Sequence, residues 1–354
     1  MTKATTPSVL AVDVGYGNTK MVCGHGLDKA LRSRWTELVF PSIAPSAVVD
    51  EDAAGFGHNP DRVLIEIEGR RYYAGPMATS GVVGRVIQPD YINTDLHEVL
   101  LRAAIHFAMR ESRAVFKVID VLVLGLPVSG FTAQKDRLKE IGQQTREIPV
   151  PKFLQASAGA KTVHVSVKQC IVVPQPYGAM RLAAQDLPSS DSVFKSNVLS
   201  MVVDPGYRTL DWLVSAGMKP EIKLSGSYDG GVSSILREVS QQVGFDHGTG
   251  SLEFDQVERG LETGKINLGY KVIDMTRHME RVPLLASEEI GVFMTRIGLR
   301  RSNLQRVFLA GGGARFYEAA LRAHLPECEV MTLPNPVMSN ARGYWLTGCD
   351  ALED

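Results

Sequence analysis

A carboxylate, paired glycines, short polar side chains and a lysine fall together in Val12-Asp13-Val14-Gly15-Tyr16-Gly17-Asn18-Thr19-Lys20, close to the N-terminus. The apolar run Val9-Leu10-Ala11-Val12 predicts a strand that delivers Asp13 to its C-terminal tip, with a second strand resuming at Met21-Val22-Cys23. Gly15 and Gly17 let the turn backbone approach an anion and donate its N–H groups, because no Cβ stands in the way. Asn18, Thr19 and Lys20 add side-chain donors and one positive charge. A carboxylate able to hold a metal, beside a loop able to hold phosphate, suggests a nucleotide–metal site. A structural hairpin with glycine in its turn carries the same letters, so this stretch alone does not decide between them.

The pattern returns far along the chain as Val202-Val203-Asp204-Pro205-Gly206-Tyr207-Arg208-Thr209-Leu210-Asp211-Trp212. The separation is too long for a solenoid repeat and suits a duplicated domain, each copy bringing one aspartate, Asp13 or Asp204, as a candidate metal ligand. Two further glycine clusters precede predicted helices. Gly230-Gly231 leads into a helix from Val232, and Gly311-Gly312-Gly313 follows the short apolar strand Arg306–Ala310. Backbone N–H groups at such junctions can seat phosphate or another ligand, and a plain turn has the same sequence.

Other signatures fail. Gly260-Leu261-Glu262-Thr263-Gly264-Lys265-Ile266 has the wrong glycine spacing for a Walker A loop and Ile where Ser or Thr must meet magnesium. Position 20, where a Rossmann fingerprint begun at Gly15 would need its third glycine, is Lys. Neither a G-x-S-x-G elbow nor an H-E-x-x-H helix occurs, which argues against serine hydrolysis and zinc catalysis.

The elements that must position these residues alternate between strands and helices, an α/β pattern. Val118 to Leu124, apolar but for Asp120, reads as a strand suited to a sheet covered on both faces. Leu96, Val99, Leu100, Ala103, Ala104 and Phe107 share one helical face, with Thr94 or Asp95 as N-cap and His97 and His106 as packing or surface residues. Residues 134–146 predict a charged helix, 162–173 strands, and Pro174-Gln175-Pro176-Tyr177-Gly178-Ala179-Met180 opens a helix through Ala184. Residues 31–94 are rich in turns, with an acidic loop at 50–61, and predict a small inserted subdomain; 244–283 predict a second insertion. The domains are expected at 1–175 with a C-terminal helix at 337–354, and at 176–336 with an insertion of about 232–285.

With 354 residues the chain can bury more than one core. Lys plus Arg number 38 against 39 for Asp plus Glu, so no broad field for nucleic acid or acidic membranes exists, and strong direct nucleic-acid binding is not expected. Cys23, Cys170, Cys328 and Cys349 are scattered, as for buried or free thiols in a reducing compartment. Residues 1–7 show no signal-peptide core and no stretch approaches the roughly 18 apolar residues of a membrane span, so a cytoplasmic protein without membrane contact is expected.

Taken in order, Asp13–Lys20, Pro174–Ala179, Asp204–Asp211, Ala310–Ala314 and Asn340–Gly343 resemble the nucleotide-site motifs of the actin/Hsp70/sugar-kinase superfamily. Within it the chain is similar to the plasmid-partition (ParM/StbA) type. Ala11–Lys20 and Phe40-Pro41-Ser42 are similar to a protein family of the PRTRC plasmid cassette. The resemblance implies duplicated ribonuclease H-like domains, each with a five-stranded sheet, flanking a cleft for ATP or ADP and Mg²⁺.

Carried over by position, Asp13 would hold the magnesium shell. Gly15, Asn18 and Lys20 would contact the β- and γ-phosphates, in one loop with Tyr16, Gly17 and Thr19. Gly206, Arg208 and Thr209 would form the opposing clamp beside Tyr207 and Asp211, with Asp204 near metal and attacking water. Gln175 would orient that water; an amide is a poor proton acceptor, which implies slow hydrolysis. Gly312, Gly313 and their neighbours, Gly311 included, would seat the adenosine, with Gly230 and Gly231 as further backbone donors. Pro205 and Arg208 depart from the family's common second-loop forms, leaving the role of Arg208 open between phosphate contact and loop cap.

The implied function is an ATPase that polymerises with copies of itself into dynamic filaments and is linked to DNA by an adaptor protein, for plasmid or chromosome segregation. A small-molecule kinase of the same superfamily and a non-polymerising ATP-gated scaffold are the alternatives. The kinase lacks a convincing base: Asp120 falls inside a strand and Asp136 on a polar helix.

Overall fold

The computed structural model describes residues 7–25, 35–47, 59–78, 90–185, 187–297 and 304–353. The chain divides into two compact units, Met1–Gln185 with Met338–Asp354, and Asp186–Val337. Each has its own hydrophobic core.

The first unit opens with β1 (Val9–Val14), β2 (Asn18–Gly24) and β3 (Thr36–Pro41), followed by the hairpin of β4 (Val63–Ile67) and β5 (Arg70–Ala74). Then come α1 (Asp95–Ser112), β6 (Val118–Leu126), α2 (Val128–Gln143) and β7 (Arg146–Pro149). They are followed by α3 (Lys152–Ala158), β8 (Thr162–Pro174) and α4 (Gln175–Gln185). The main sheet has the order β3-β2-β1-β6-β8-β7, with β1, β6 and β8 parallel and the rest antiparallel. Every residue of β1 is buried because both faces of the sheet are covered. Leu10, Val12 and Val14 pack into the core shared with α1, while Val9 and Ala11 pack with the C-terminal helix residues Tyr344 and Trp345. That is the two-residue alternation of a strand with helices on either side.

Three expectations are revised here. The sheet has six strands, not five, since β7 adds an antiparallel edge to β8. The charged helix stops at Gln143 instead of running to 146, because Arg146 turns inward as the first residue of β7. Its guanidinium donates to the carbonyls of Ile141, Gly142 and Gln144 at the end of α2 and to the Glu98 carboxylate. A cation satisfying orphan carbonyls at a helix C-terminus is favourable in both charge and hydrogen bonding. Finally, β3 pairs with β2 in the main sheet, so 31–94 is not one insertion; of its described residues, β4 and β5 form the separate hairpin. Most of the acidic loop expected at 50–61 lies outside the described residues.

Helix α1 begins at the Thr94 cap, whose side chain accepts the His97 N–H at 3.2 Å. His97 and His106 are both buried, which settles them as packing residues.

In the second unit, β9 (Leu199–Pro205) and β10 (Leu210–Ala216) form a hairpin edged by β11 (Lys219–Pro220) and β12 (Gly226–Tyr228). Next come α5 (Val232–His247), α6 (Phe254–Thr263), β13 (Lys265–Asn267), β14 (Val272–Asp274) and α7 (Thr276–Met279). The unit ends with α8 (Val282–Arg296), β15 (Leu304–Leu309), α9 (Ala314–His324) and β16 (Glu329–Thr332). The sheet order β11-β10-β9-β15-β16 repeats the first unit's plan of an antiparallel hairpin continued by two parallel strands. The false Walker stretch is the end of α6, its turn at Gly264 and β13.

The last helix, α10 (Ser339–Glu353), returns to the first unit and crosses α4. A Cβ on Gly343 would lie 1.7 Å from the Gly178 carbonyl oxygen, so glycine alone permits that crossing. Asn340 Oδ1 accepts the Ala179 N–H at 3.2 Å beside it. These are the helices of the Pro174–Ala179 and Asn340–Gly343 motifs.

Candidate functional site

In the first unit the turn of residues 15–17 joins β1 to β2, and the register sets Asp13 opposite Lys20 and Val14 opposite Thr19. Asp13 is 1% exposed at the end of its strand. Lys20 Nζ lies 2.9 Å from its Oδ2, and Gln175 Nε2 donates to its Oδ1 at 3.0 Å. The first residue of α4 thus reaches the carboxylate that β1 delivers, and Asp13, Lys20 and Gln175 form one cluster. Gly15 is tightly approached: a Cβ there would lie 3.0 Å from the Asn18 carbonyl oxygen and 3.1 Å from Lys20 Nζ, so either neighbour would have to shift by a few tenths of an ångström.

Strand β2 begins at Asn18, earlier than the expected Met21. Alternation then turns Thr19 inward: it is fully buried and its Oγ1 lies 2.9 Å from Ser42 Oγ. The Thr19 hydroxyl therefore supports the turn from behind rather than projecting from it. Tyr16 stacks on Tyr91 with ring centroids 4.7 Å apart. Neither Ser42 nor Tyr91 was visible as a site residue, because nothing local in the sequence pairs them with a turn so far away along the chain.

In the second unit the register sets Asp204 directly opposite Asp211, both buried. Like charges facing across a hairpin are unfavourable unless something positive or hydrogen-bonded complements them. Asp211 accepts from Thr209 Oγ1 at 2.5 Å and from the Ser227 hydroxyl. Gly311, at φ +78°, packs so closely on Asp204 that a Cβ would lie 2.0 Å from Oδ1. The turn itself closes with Gly206 N–H donating to the Thr209 carbonyl at 2.8 Å. Its carbonyls are held by a helix: Val232 N–H donates to Gly206 O at 3.1 Å and Ser233 N–H to Tyr207 O at 2.8 Å. Arg208 forms an ion pair at 3.3 Å with the exposed Asp229, so it is anchored at the turn's rim.

The remaining glycines shape the backbone more than they offer donors. Gly230 N–H bonds to the Tyr228 carbonyl at 2.9 Å, and a Cβ there would strike the Tyr228 ring. Gly231 N–H meets Ser234 Oγ at 3.3 Å and also reaches Glu289. Gly311 and Gly313 N–H groups bond to the carbonyls of Pro336 at 2.8 Å and Pro205 at 2.9 Å. Gly312 differs, being exposed with open space where a side chain would stand. Beneath Gly231, Glu289 of α8 accepts the hydroxyls of Ser234 and Tyr317. Its carboxyl is held above the ordinary range chiefly by burial, opposed by the hydrogen bonds from Tyr317 and Gly231.

Among the described residues no cluster of three or more His, Cys, Asp or Glu side chains could cage a metal. No described helix is long and apolar enough to cross a membrane. The cysteines are thiols outside any disulfide, with Cys23, Cys170 and Cys349 buried.

A duplicated plan of hairpin plus parallel strands, with an aspartate ending the first strand of each copy, defines an actin-fold chain. Residues 11–178 match the family model for the N-terminal domain of actin-like proteins. Residues 202–323 match that of the C-terminal domain of archaeal MreB-like actin homologues. The chain belongs to the actin-like proteins.

Its solved structural neighbours include an archaeal actin homologue in complex with ADP, at 19% identity and TM-score 0.72, covering 98% of this chain and 99% of that one. A ParM from a 15-stranded filament of Clostridium botulinum matches at 21% identity and TM-score 0.73, covering 98% of this chain and 100% of that one. The actin-like protein Alp7A matches at 14% identity and TM-score 0.73, covering 99% and 97%. A search of curated proteins found no match.

Proposed function

We propose that the chain is an ATPase that binds ATP with Mg²⁺ and polymerises into filaments, serving plasmid or other DNA segregation through an adaptor protein. The observation that carries this proposal is the pair of buried aspartates, Asp13 and Asp204, each ending a strand at a turn whose carbonyls are tied back into its own unit. A peptide's N–H points opposite to its C=O, so tying the carbonyls back aims the following amides outward, toward an anion.

The residues fit a hydrated magnesium better than a caged one. Magnesium keeps several waters and is bound through one or two carboxylates plus substrate phosphates, which suits isolated aspartates. Gly311, where a Cβ would meet Asp204 Oδ1 at 2.0 Å, lets the backbone pack against that carboxylate. Magnesium, when bound, would neutralise charge developing on the phosphates. Asp13 and Asp204 would hold its water shell, Lys20 would turn from Asp13 toward phosphate, and Gln175 would orient the attacking water. Because its amide is a poor proton acceptor, Gln175 supports slow turnover.

Self-association draws support from a neighbour described as a ParM filament; the DNA role rests on the resemblance of the ordered motifs to the plasmid-partition type. ATP-dependent light scattering, with electron microscopy in ATP, ADP and a non-hydrolysable analogue, tests this directly. Filaments in ATP that decay as ADP accumulates are expected. Absence of polymer in every nucleotide state at high protein concentration would sink the filament proposal.

A further inference from the structure

Behind the first turn stands a support built from two residues, Ser42 and Tyr91, that lie far away in the sequence. Tyr91 directs its hydroxyl to the Gly15 carbonyl at 3.5 Å and also bonds the Ser42 side chain. Ser42 in turn donates its N–H to the Gly17 carbonyl at 3.0 Å and meets Thr19 Oγ1 at 2.9 Å. Two carbonyls of the turn and one hydroxyl beside it are thus engaged on one side. Peptide planarity then points the N–H groups of Tyr16 and Asn18 the other way.

Tyr91 is itself firmly placed. Its ring stacks on Tyr16 at 4.7 Å with 29° between planes, and meets the buried His97 edge-on at 5.6 Å. Its carbonyl accepts both Thr94 N–H at 3.2 Å and Thr94 Oγ1 at 2.7 Å, and Thr94 caps α1. The support is therefore braced by an 18-residue helix that carries much of the first unit's core.

We infer that Tyr91 is a positioning residue that sets the amide geometry of the Gly15–Gly17 turn for the β-phosphate and γ-phosphate of a nucleotide. The inference rests on the nucleotide proposal for the identity of the anion, and on the ligand-free geometry for the positioning. Tyr91 touches neither phosphate nor metal; it acts through Gly15, Tyr16 and Ser42. Groups that act through backbone orientation matter because a preformed donor set loses less entropy on binding and is sensitive to small displacements.

The test joins two measurements on the full chain, with Tyr91→Ala and Tyr91→Phe. In the ligand-free protein, hydrogen exchange at amides 16–18 is expected to rise about tenfold in Tyr91→Ala, while exchange in β6 and β8 stays as in the native chain. In titrations, Tyr91→Ala is expected to bind ATP and ADP about tenfold more weakly and adenosine unchanged, because adenosine presents no phosphate to the turn. Tyr91→Phe keeps the stack and loses the hydroxyl, and should recover most of both effects.

A general loss of structure would weaken all ligands alike, and that uniform pattern, or no change in either measurement, overturns the inference. If Tyr91→Ala does not fold, Tyr91→Phe decides. A two- to threefold phosphate-selective loss with faster exchange at 16–18 supports the positioning role, and native behaviour in both overturns it. If the native chain binds neither ATP nor ADP, the nucleotide proposal falls and the exchange measurement alone decides whether Tyr91 positions the turn.

Discussion

The two hairpins share a sequence pattern but are held in shape by different means. The turn after Asp13 is held by one backbone N–H, from Ser42 to the Gly17 carbonyl, and by one side chain, the Tyr91 hydroxyl facing the Gly15 carbonyl at 3.5 Å. The turn after Asp204 leans on the backbone: N–H groups of Val232 and Ser233, in the first turn of α5, hold the carbonyls of Gly206 and Tyr207. Cross-strand chemistry differs too. Asp13 faces Lys20, a built-in countercharge, whereas Asp204 faces Asp211. A duplicated turn can therefore keep its shape while its supports diverge, because the carbonyls of both turns are fastened, though by different groups. The consequence is an asymmetry in how each can be broken. Side-chain substitutions reach the first turn, and added Cβ atoms reach the second.

The largest effect should come from Gly311→Ala. The residue sits at φ +78°, and the new methyl would meet Asp204 Oδ1 at 2.0 Å. Left-handed backbone and overpacking together cost about 3 kcal/mol in the second unit's unfolding. Urea titration reads it, and a native midpoint would show that Gly311 does not press on Asp204.

Acidification should act on the first unit through His97, which is buried against the edge of the Tyr91 ring. Burial, with Arg146 adding to it and Glu98 opposing, lowers its pKa from 6.5 to about 4. The folded state thus keeps His97 neutral while the unfolded chain takes up a proton. Its stability contribution is complete above about pH 6.5 and falls as the pH drops toward 4, by about 3 kcal/mol in all. A His97→Phe variant should lack this slope in a series of denaturant melts from pH 7 to 4. An unchanged slope would remove His97 as the cause.

The smallest effect belongs to Ser42→Ala. It strands the buried Thr19 hydroxyl and removes one anchor of Tyr91, leaving the Ser42 backbone N–H on Gly17 intact, for about 1–2 kcal/mol. Thermal unfolding would detect it, and the same change at Thr209, on the second turn, should leave the first unit's transition unmoved.

Much of this was legible in the sequence. The echo of Asp13–Lys20 in Asp204–Asp211 is carried by local chemistry: an apolar strand, an acid at its tip, glycine in the turn. Burial of β1 could be read from its apolar run Val9–Val12, and a covered strand at β6 from Val118–Leu124, apolar but for Asp120. The Gln175 helix and its contact partner α10 followed from ordered motifs. What stayed hidden depends on pairings between distant residues. Thr19 was expected among the outward donors, since strand β2 was begun at Met21; starting it at Asn18 puts Thr19 on the same parity as the core residues Met21 and Cys23. Likewise, no local signal announces that β3 joins the main sheet, or that Arg146 ends α2 by turning onto its carbonyls. Gly311 and Gly313 looked like free donors, and are engaged because Pro336 and Pro205 approach them from elsewhere in the fold.

Phosphate release from Mg²⁺·ATP by the native chain, Asp13→Ala and Asp204→Ala tests most directly the claim that both hairpins serve one nucleotide reaction. Slow turnover is expected of the native chain, with each variant reduced about a hundredfold or more, the scale of losing one positioned electrostatic group. Native turnover by either variant would contradict the shared role of the two aspartates.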